Sequence, residues 1–314
     1  MLRPILATLA LIGLAVAAPA AADEMSPEIV AAVKKIGAVI DPTATAELFA
    51  PLQKKEPYAG VTVTRDEKYG SDSLNRLDVF APAPADKVPR PILIFVHGGA
   101  FTGGDKHPPG NPFYDNVMLW AVANGMVGVN IDYRLAPEHP YPAGAEDVAM
   151  AVQWTLENAA TFGGDPRRIF LMGHSAGAVH VATYVTHPEF HKVKGGGLAG
   201  AILVSGLYEV TPEVSGSPER AYFGNDVSKW PERSSLKGLV TTKLPLLVAR
   251  AQLDPPDFTV QGDVLNSAMC SGPVACPTYL ILPDHSHMSE IYSINTDDTR
   301  LGYAINSFVS RVKH

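Results

Sequence analysis

The chain has 314 residues, 46% of them hydrophobic and 18% charged, with a formal net charge of -7. That balance excludes a disordered or fibrous chain and supplies enough apolar material for a substantial core. The mild acidity, with no long Lys/Arg run, excludes a nucleic-acid-binding footprint and reads as solubility.

In chain order, the first feature is Arg3, followed by the apolar stretch Ile5 to Ala18 and by Ala20-Ala21-Ala22-Asp23. One positive charge, a short apolar run and small residues ahead of an acid predict a secretory signal peptide over residues 1–22. The apolar run falls short of the roughly 20 residues that span a bilayer, so no stable membrane anchor is expected after cleavage. The remaining residues, 23–314, are then expected to form a single domain in the periplasm or outside the cell. Residues 23–56 read as helical with Pro42 and Pro51 as punctuation, a candidate part of a cap. Val61 to Arg65 and Arg76 to Ala81 alternate apolar with polar residues and suit antiparallel strands.

From Ile92 onward the pattern changes. Ile92 to Val96 is a continuous apolar run that stops at His97-Gly98-Gly99, as strands buried on both faces do. A helix over Asn116 to Asn124 and a strand over Met126 to Ile131 follow. Next come a helix over Gly144 to Asn158, a short strand over Ile169 to Met172 and a helix over Ala176 to Thr186. Further strands are expected at Ala201 to Ser205, Leu246 to Ala249 and Thr278 to Leu282, and helices at Asp263 to Met269 and Arg300 to Val312. Strands alternating with helices predict an α/β fold with a mostly parallel central sheet and helices on both faces. Residues 206–244 interrupt the alternation with Tyr222, Phe223, Trp230 and several Pro and Gly. An insert of that length is usually functional, and it is expected to help build a small cap and pocket with residues 23–56. Cys270 and Cys276 bracket a turn-rich segment and, in an exported chain, are expected to form a local disulfide. So short a loop adds only about 2 kcal/mol by chain entropy.

Ligands of open parallel sheets bind at the carboxyl ends of the strands, so the chemistry is sought there. After Ile169–Met172 comes Gly173-His174-Ser175-Ala176-Gly177 and then a helix, the strand–turn–helix setting of a nucleophile elbow. Ser175 is the candidate nucleophile. A serine needs a base, and the base needs an orienting carboxylate. In this arrangement they follow in the order Ser, acid, His. Asp254 lies just past the strand Leu246–Ala249 and suits the acid; Asp257 and Asp263 are rivals farther on. After the last strand, His285 and His287 compete as base. The segment His97-Gly98-Gly99-Ala100-Phe101 occupies the place of an oxyanion loop, whose backbone N–H groups stabilise the charge that develops in acyl transfer. Its donors are expected to be Gly98 and Gly99, with Ala176 from the elbow. No metal or other cofactor is expected.

Three segments together resemble the α/β-hydrolase superfamily, and within it the hormone-sensitive-lipase-like and arylformamidase-like carboxylesterases. They are His97–Asp105, Asp132-Tyr133-Arg134-Leu135-Ala136-Pro137-Glu138-His139-Pro140-Tyr141-Pro142-Ala143, and Gly173–Gly177. The resemblance implies an α/β-hydrolase fold from about Val61 to the C-terminus. It makes the second histidine of His285-Ser286-His287 the base and leaves Arg134 and Glu138 structural. His174, where related esterases often carry Asp, leans the chain toward the arylformamidase-like branch, and Ala100 replaces a usual third glycine. The implied activity is a serine carboxylesterase acting on a small-molecule ester through an acyl-enzyme with Ser175, His287 and Asp254. An arylformamidase or amidase sharing the same triad, and a non-catalytic binding member of the fold, are the alternatives.

Overall fold

The computed structural model describes residues 24–84, 88–212 and 216–312; the expected signal peptide lies outside the described residues. One eight-stranded sheet runs through the molecule. Its strands are β1 (Val61–Lys68), β2 (Arg76–Pro82), β3 (Arg90–Val96), β4 (Val127–Ile131), β5 (Gly164–His174), β6 (Gly200–Val204), β7 (Leu246–Leu253) and β8 (Thr278–Ser286). Their order is β1-β2-β4-β3-β5-β6-β7-β8. β2 pairs antiparallel with β1 and β4, and every other pair is parallel.

The helices are α1 (Pro27–Ile36), α2 (Pro42–Phe49), α3 (Asp115–Ala123), α4 (Ala143–Asn158), α5 (Ala176–Thr186), α6 (Ser217–Phe223), α7 (Trp230–Arg233), α8 (Leu236–Leu239), α9 (Pro256–Ser271), α10 (Ser289–Tyr292) and α11 (Arg300–Arg311). Along the central strands, successive residues feed two apolar layers. Leu93, Phe95, Phe170 and Met172 pack with α3 and α11, while Ile94, Val96, Ile169 and Leu171 pack with α4 and α5. Burial on both faces is why these strands read as unbroken apolar runs. Helix α5 sits deep in the molecule, with every residue from Ala176 to Tyr184 buried.

The insert at 206–244 folds into α6, α7 and α8. Leu207, Val210, Tyr222, Phe223 and Trp230 form a third apolar cluster with Phe101 and with Ala176 and Val179 of α5. It therefore lies against the amino end of α5. Of the N-terminal helices, α1 packs against β8 and α2 against α10. There Val33 and Phe49 join the layer containing Phe113 and Tyr292, and Gln53 Nε2 donates to the carbonyls of Tyr292 (2.9 Å) and Ile294 (3.0 Å). Helix α9 starts seven residues ahead of its expected first residue, Asp263. Its first residue is Pro256, and a proline at the first helical position is well suited to start a helix. Cys270 and Cys276 are joined by a disulfide, which ties the end of α9 to the approach of β8.

Candidate active site

The parallel strands β3, β5, β7 and β8 deliver their carboxyl ends to one edge of the sheet. β5 ends at His174, and Ser175 takes φ 56° and ψ -124°, a left-handed conformation that a non-glycine residue adopts at a strained turn. Two bonds fix the turn: Ser175 N–H donates to the Val204 carbonyl (2.9 Å), and Ala178 N–H donates to the Ser175 carbonyl (2.9 Å). The flanking glycines are needed for close approach. A Cβ on Gly177 would run into the Val96 carbonyl, and one on Gly173 would run into the backbone of Gly177.

Past the end of β7, Asp254 is buried. Its Oδ1 lies 2.7 Å from Nδ1 of His287, and its Oδ2 accepts from Ser205 Oγ (2.6 Å) and from the Ala251 N–H (2.9 Å). Because a carboxylate only accepts, the proton of a neutral His287 sits on Nδ1 and its Nε2 is left as a bare acceptor. That Nε2 is buried and has no partner among the described residues. Ser175 Oγ is not hydrogen-bonded to it here, and catalytic hydrogen bonds often tighten only when substrate is bound. The Phe258 ring packs on His287 with centroids 4.5 Å apart.

The competing residues go elsewhere. His285 bonds Asp298 through Nε2 (2.9 Å) and Ser289 Oγ through Nδ1 (3.1 Å). Asp263 pairs with Arg250 at 2.8 Å and with the Tyr279 hydroxyl. Asp257 is exposed in the first turn of α9. Arg134 is bound to Asp147 and Glu146, and Glu138 is exposed.

The loop after β3 lies against the elbow. A Cβ on Gly98 would sit 3.0 Å from Ser175 Cβ, and Gly99 takes φ 132°. The backbone N–H groups of Gly98, Gly99 and Ala176 donate to nothing among the described residues. They are thus free to meet a developing oxyanion. The loop is held from behind. Tyr133 Oη donates to the His97 carbonyl (3.0 Å), Lys106 N–H donates to Asp132 Oδ1 (2.6 Å), and Lys106 Nζ is paired with Asp66 (2.8 Å) and Asp78 (2.9 Å). Phe101 is stacked on Tyr222 of the insert, with centroids 4.7 Å apart.

Three groups beside the triad candidates have no counterpart in the sequence reading of the site. Ser205, with φ 46°, follows β6 and binds Asp254. His174 is fully buried and its Nε2 donates to the His287 carbonyl (2.9 Å). Burial, and then the neighbouring His287, push the His174 pKa well down, so the ring is neutral. Glu290 is also fully buried, and burial followed by the charge of Asp254 pushes its pKa well up. For Ser205 and Glu290 the only sequence signal is position, at a strand end or three residues after His287, whereas His174 stands out as a departure from the Asp of related esterases. His174, His287 and Glu290 bring possible metal-ligand atoms within 4.8 Å of one another, but one nitrogen of each ring is already engaged.

A family model described as alpha/beta hydrolase fold matches residues 93–259, just over half of the chain. Carboxylesterase NlhH of Mycobacterium tuberculosis is 42% identical over 113 residues, 34% of this chain and 33% of that protein. Esterase LipQ of the same species is 28% identical over 248 residues, 73% of this chain and 58% of LipQ. The chain thus spans about a third of the length of NlhH and under two thirds of LipQ. Among solved structures, esterase B from Lactobacillus rhamnosis superimposes with a TM-score of 0.69 at 18% identity, covering 90% of this chain and 96% of that one.

Proposed function

The chain belongs to the α/β-hydrolase fold family, and on that premise we propose that it is a serine carboxylesterase acting on short-chain or aromatic carboxylic esters. One observation carries the reading. A histidine whose Nδ1 is held by a buried carboxylate keeps its other nitrogen bare, at the strand ends that also carry a strained serine and unengaged backbone N–H groups. The names of NlhH and LipQ support the same reaction class.

In the proposed reaction the ester carbonyl lies against Ser175. His287 Nε2 takes the proton of the Ser175 hydroxyl as Oγ attacks, and Asp254 offsets the charge of the imidazolium. The N–H groups of Gly98, Gly99 and Ala176 stabilise the oxyanion. His287 then gives its proton to the leaving alcohol. Water, activated by the same nitrogen, releases the acid and restores Ser175. Phe258 packs on the His287 ring, and Phe101 of the loop after β3 joins the apolar cluster against the amino end of α5, surroundings that suit a short or aromatic substrate group. We further read the protein as exported, on the leader-like composition of residues 1–22 and the Cys270–Cys276 disulfide.

The test is turnover of p-nitrophenyl acetate, butyrate and longer esters by wild type and by Ser175→Ala, with an N-formyl arylamide alongside. Ester hydrolysis that falls by several orders of magnitude in the variant is expected. Equal turnover by both proteins refutes the reading, and preference for the arylamide replaces the ester by an amide.

A further inference from the structure

Glu290 is an expensive residue to keep. It lies three positions after His287, at the second residue of α10, and is fully buried. Neither of its carboxyl oxygens has a hydrogen-bond partner among the described residues. A buried carboxyl without partners costs stability unless it serves a purpose. Its surroundings are those of the triad candidates. An Oε1 lies 3.5 Å from His174 Nε2, and its carboxyl belongs with His174 and His287 in a group whose nitrogen and oxygen atoms fall within 4.8 Å of one another. The Ser205 hydroxyl that donates to Asp254 also faces Glu290.

We propose that Glu290 is a second acidic positioning residue for His287, set behind Asp254 in the same buried cluster. The inference rests on the reading of Ser175 and His287 as nucleophile and base.

The two acids differ in what surrounds them. Asp254 accepts bonds from Ser205 and the Ala251 N–H through Oδ2 and from the His287 ring through Oδ1. Neither Glu290 oxygen accepts a well-formed hydrogen bond, and burial, then the Asp254 charge, outweigh the Ser205 hydroxyl and Arg250, which pull its pKa the other way. Asp254 and Glu290 are both buried and bear on one another electrostatically, so the proton of Glu290 is coupled to the presence of Asp254. The other titratable groups that bear on Glu290 do not undo this. His174 and Tyr208 are buried and neutral, and Arg250 is committed to Asp263. Removing Asp254 leaves burial, the larger cause, and takes away the second, the neighbouring charge that helps hold the Glu290 proton. Glu290 then loses its proton to solvent as the pH rises, and its carboxylate becomes the only one left to offset the imidazolium of His287.

The experiment compares wild type, Asp254→Ala, Glu290→Gln and the double variant. Each is read by hydrolysis of p-nitrophenyl butyrate and by the rate of Ser175 labelling with a fluorophosphonate, from about pH 6 to 9, with thermal melts as a folding control. Asp254→Ala is expected to keep a residual rate that climbs with pH, and the double variant to fall at least about tenfold below it. Glu290→Gln is expected to leave the acid limb of the kcat/KM profile where wild type has it, because one neutral group replaces another. Equal rates for Asp254→Ala and the double variant at every pH overturn the proposal. So does a downward shift of the acid limb by about a unit in Glu290→Gln, which would mean Glu290 is ionised in the native protein. Asp254→Ser replaces Asp254→Ala if the alanine variant does not fold. Wild type that neither hydrolyses the ester nor labels at Ser175 refutes the esterase reading itself, which separates the two failures.

Discussion

Replacing His180 with leucine removes a titrating group from the layer that supports the elbow. His180 lies on α5, five residues after Ser175, and is fully buried. Its ring meets Tyr133, Tyr222 and Phe101 edge-on, with centroids 4.6, 5.0 and 5.5 Å away. Neither ring nitrogen has a partner among the described residues. Burial, and then the nearby His97, push the pKa of His180 down to about 3. In the unfolded chain the same ring titrates near its ordinary value of about 6.5. The folded value is the lower one, so the unfolded state binds the extra proton in acid. The stability contribution is therefore fully present above about pH 6.5 and is lost progressively toward about pH 3. Each pH unit in that window is worth about 1.4 kcal/mol, so moving to about pH 5 costs about 2 kcal/mol from this residue alone. His174 is also buried and neutral, but it is present in both proteins and cancels. Urea unfolding of wild type and His180→Leu at about pH 7.5 and about pH 5 gives the comparison. The stability of the variant relative to wild type is expected to rise by about 2 kcal/mol in acid. Parallel losses in the two proteins would refute the argument that His180 is buried neutral.

Other outcomes follow from the same geometry. Burial works to raise the Asp298 carboxyl, but hydrogen bonds from His285 and Arg300 outweigh it and hold the group well below the usual carboxylate range. Asp298→Asn should lower stability at neutral pH by about 2 kcal/mol, the size of a charge-assisted hydrogen bond. Because the folded pKa is the depressed one, the deficit should shrink only below about pH 4, where the unfolded wild-type chain takes up a proton at Asp298 that the folded protein does not; a deficit that is the same at about pH 7 and at the acid end contradicts the assignment. Gly177→Ala drives a Cβ into the Val96 carbonyl, so the elbow must shift. Ester turnover is expected to drop at least about a hundredfold, and an alanine variant with wild-type turnover would mean the close approach is not required. Reducing the Cys270–Cys276 disulfide should cost about 2 kcal/mol in a denaturant melt, and an unchanged midpoint would count against a stabilising loop closure.

The parallel strands were legible because burial on both faces turns them into unbroken apolar runs, as at Ile92 to Val96 and Ile169 to Met172. Ser175 was legible because its elbow is a local feature, set by two glycines and the turn between β5 and α5. The acid and base were less so. Asp254 differs from Asp263 only in where the chain turns after β7, and Asp263 is drawn away by Arg250 and Tyr279. Between His285 and His287, nothing local in the sequence decides. The choice came from family resemblance, and in three dimensions it turns on Asp298 being available to the first and Asp254 to the second. The bracing of the oxyanion loop was not legible at all. Lys106 meets Asp66 and Asp78 from β1 and β2, and Arg65 meets Asp78 and Asp115, contacts made across wide stretches of chain. Glu290 is illegible for a related reason: the short polar segment after His287 gives no sign that it will be buried.

The central claim is that Ser175 is a nucleophile served by His287. It is tested most directly by treating the protein with a fluorophosphonate and locating the adduct by mass spectrometry of the digest. A single adduct on the peptide carrying Ser175 is expected, abolished by prior unfolding and by His287→Ala, and retained in His285→Ala provided that variant stays folded. An adduct on another residue, or labelling of Ser175 at the wild-type rate in His287→Ala, would contradict the claim.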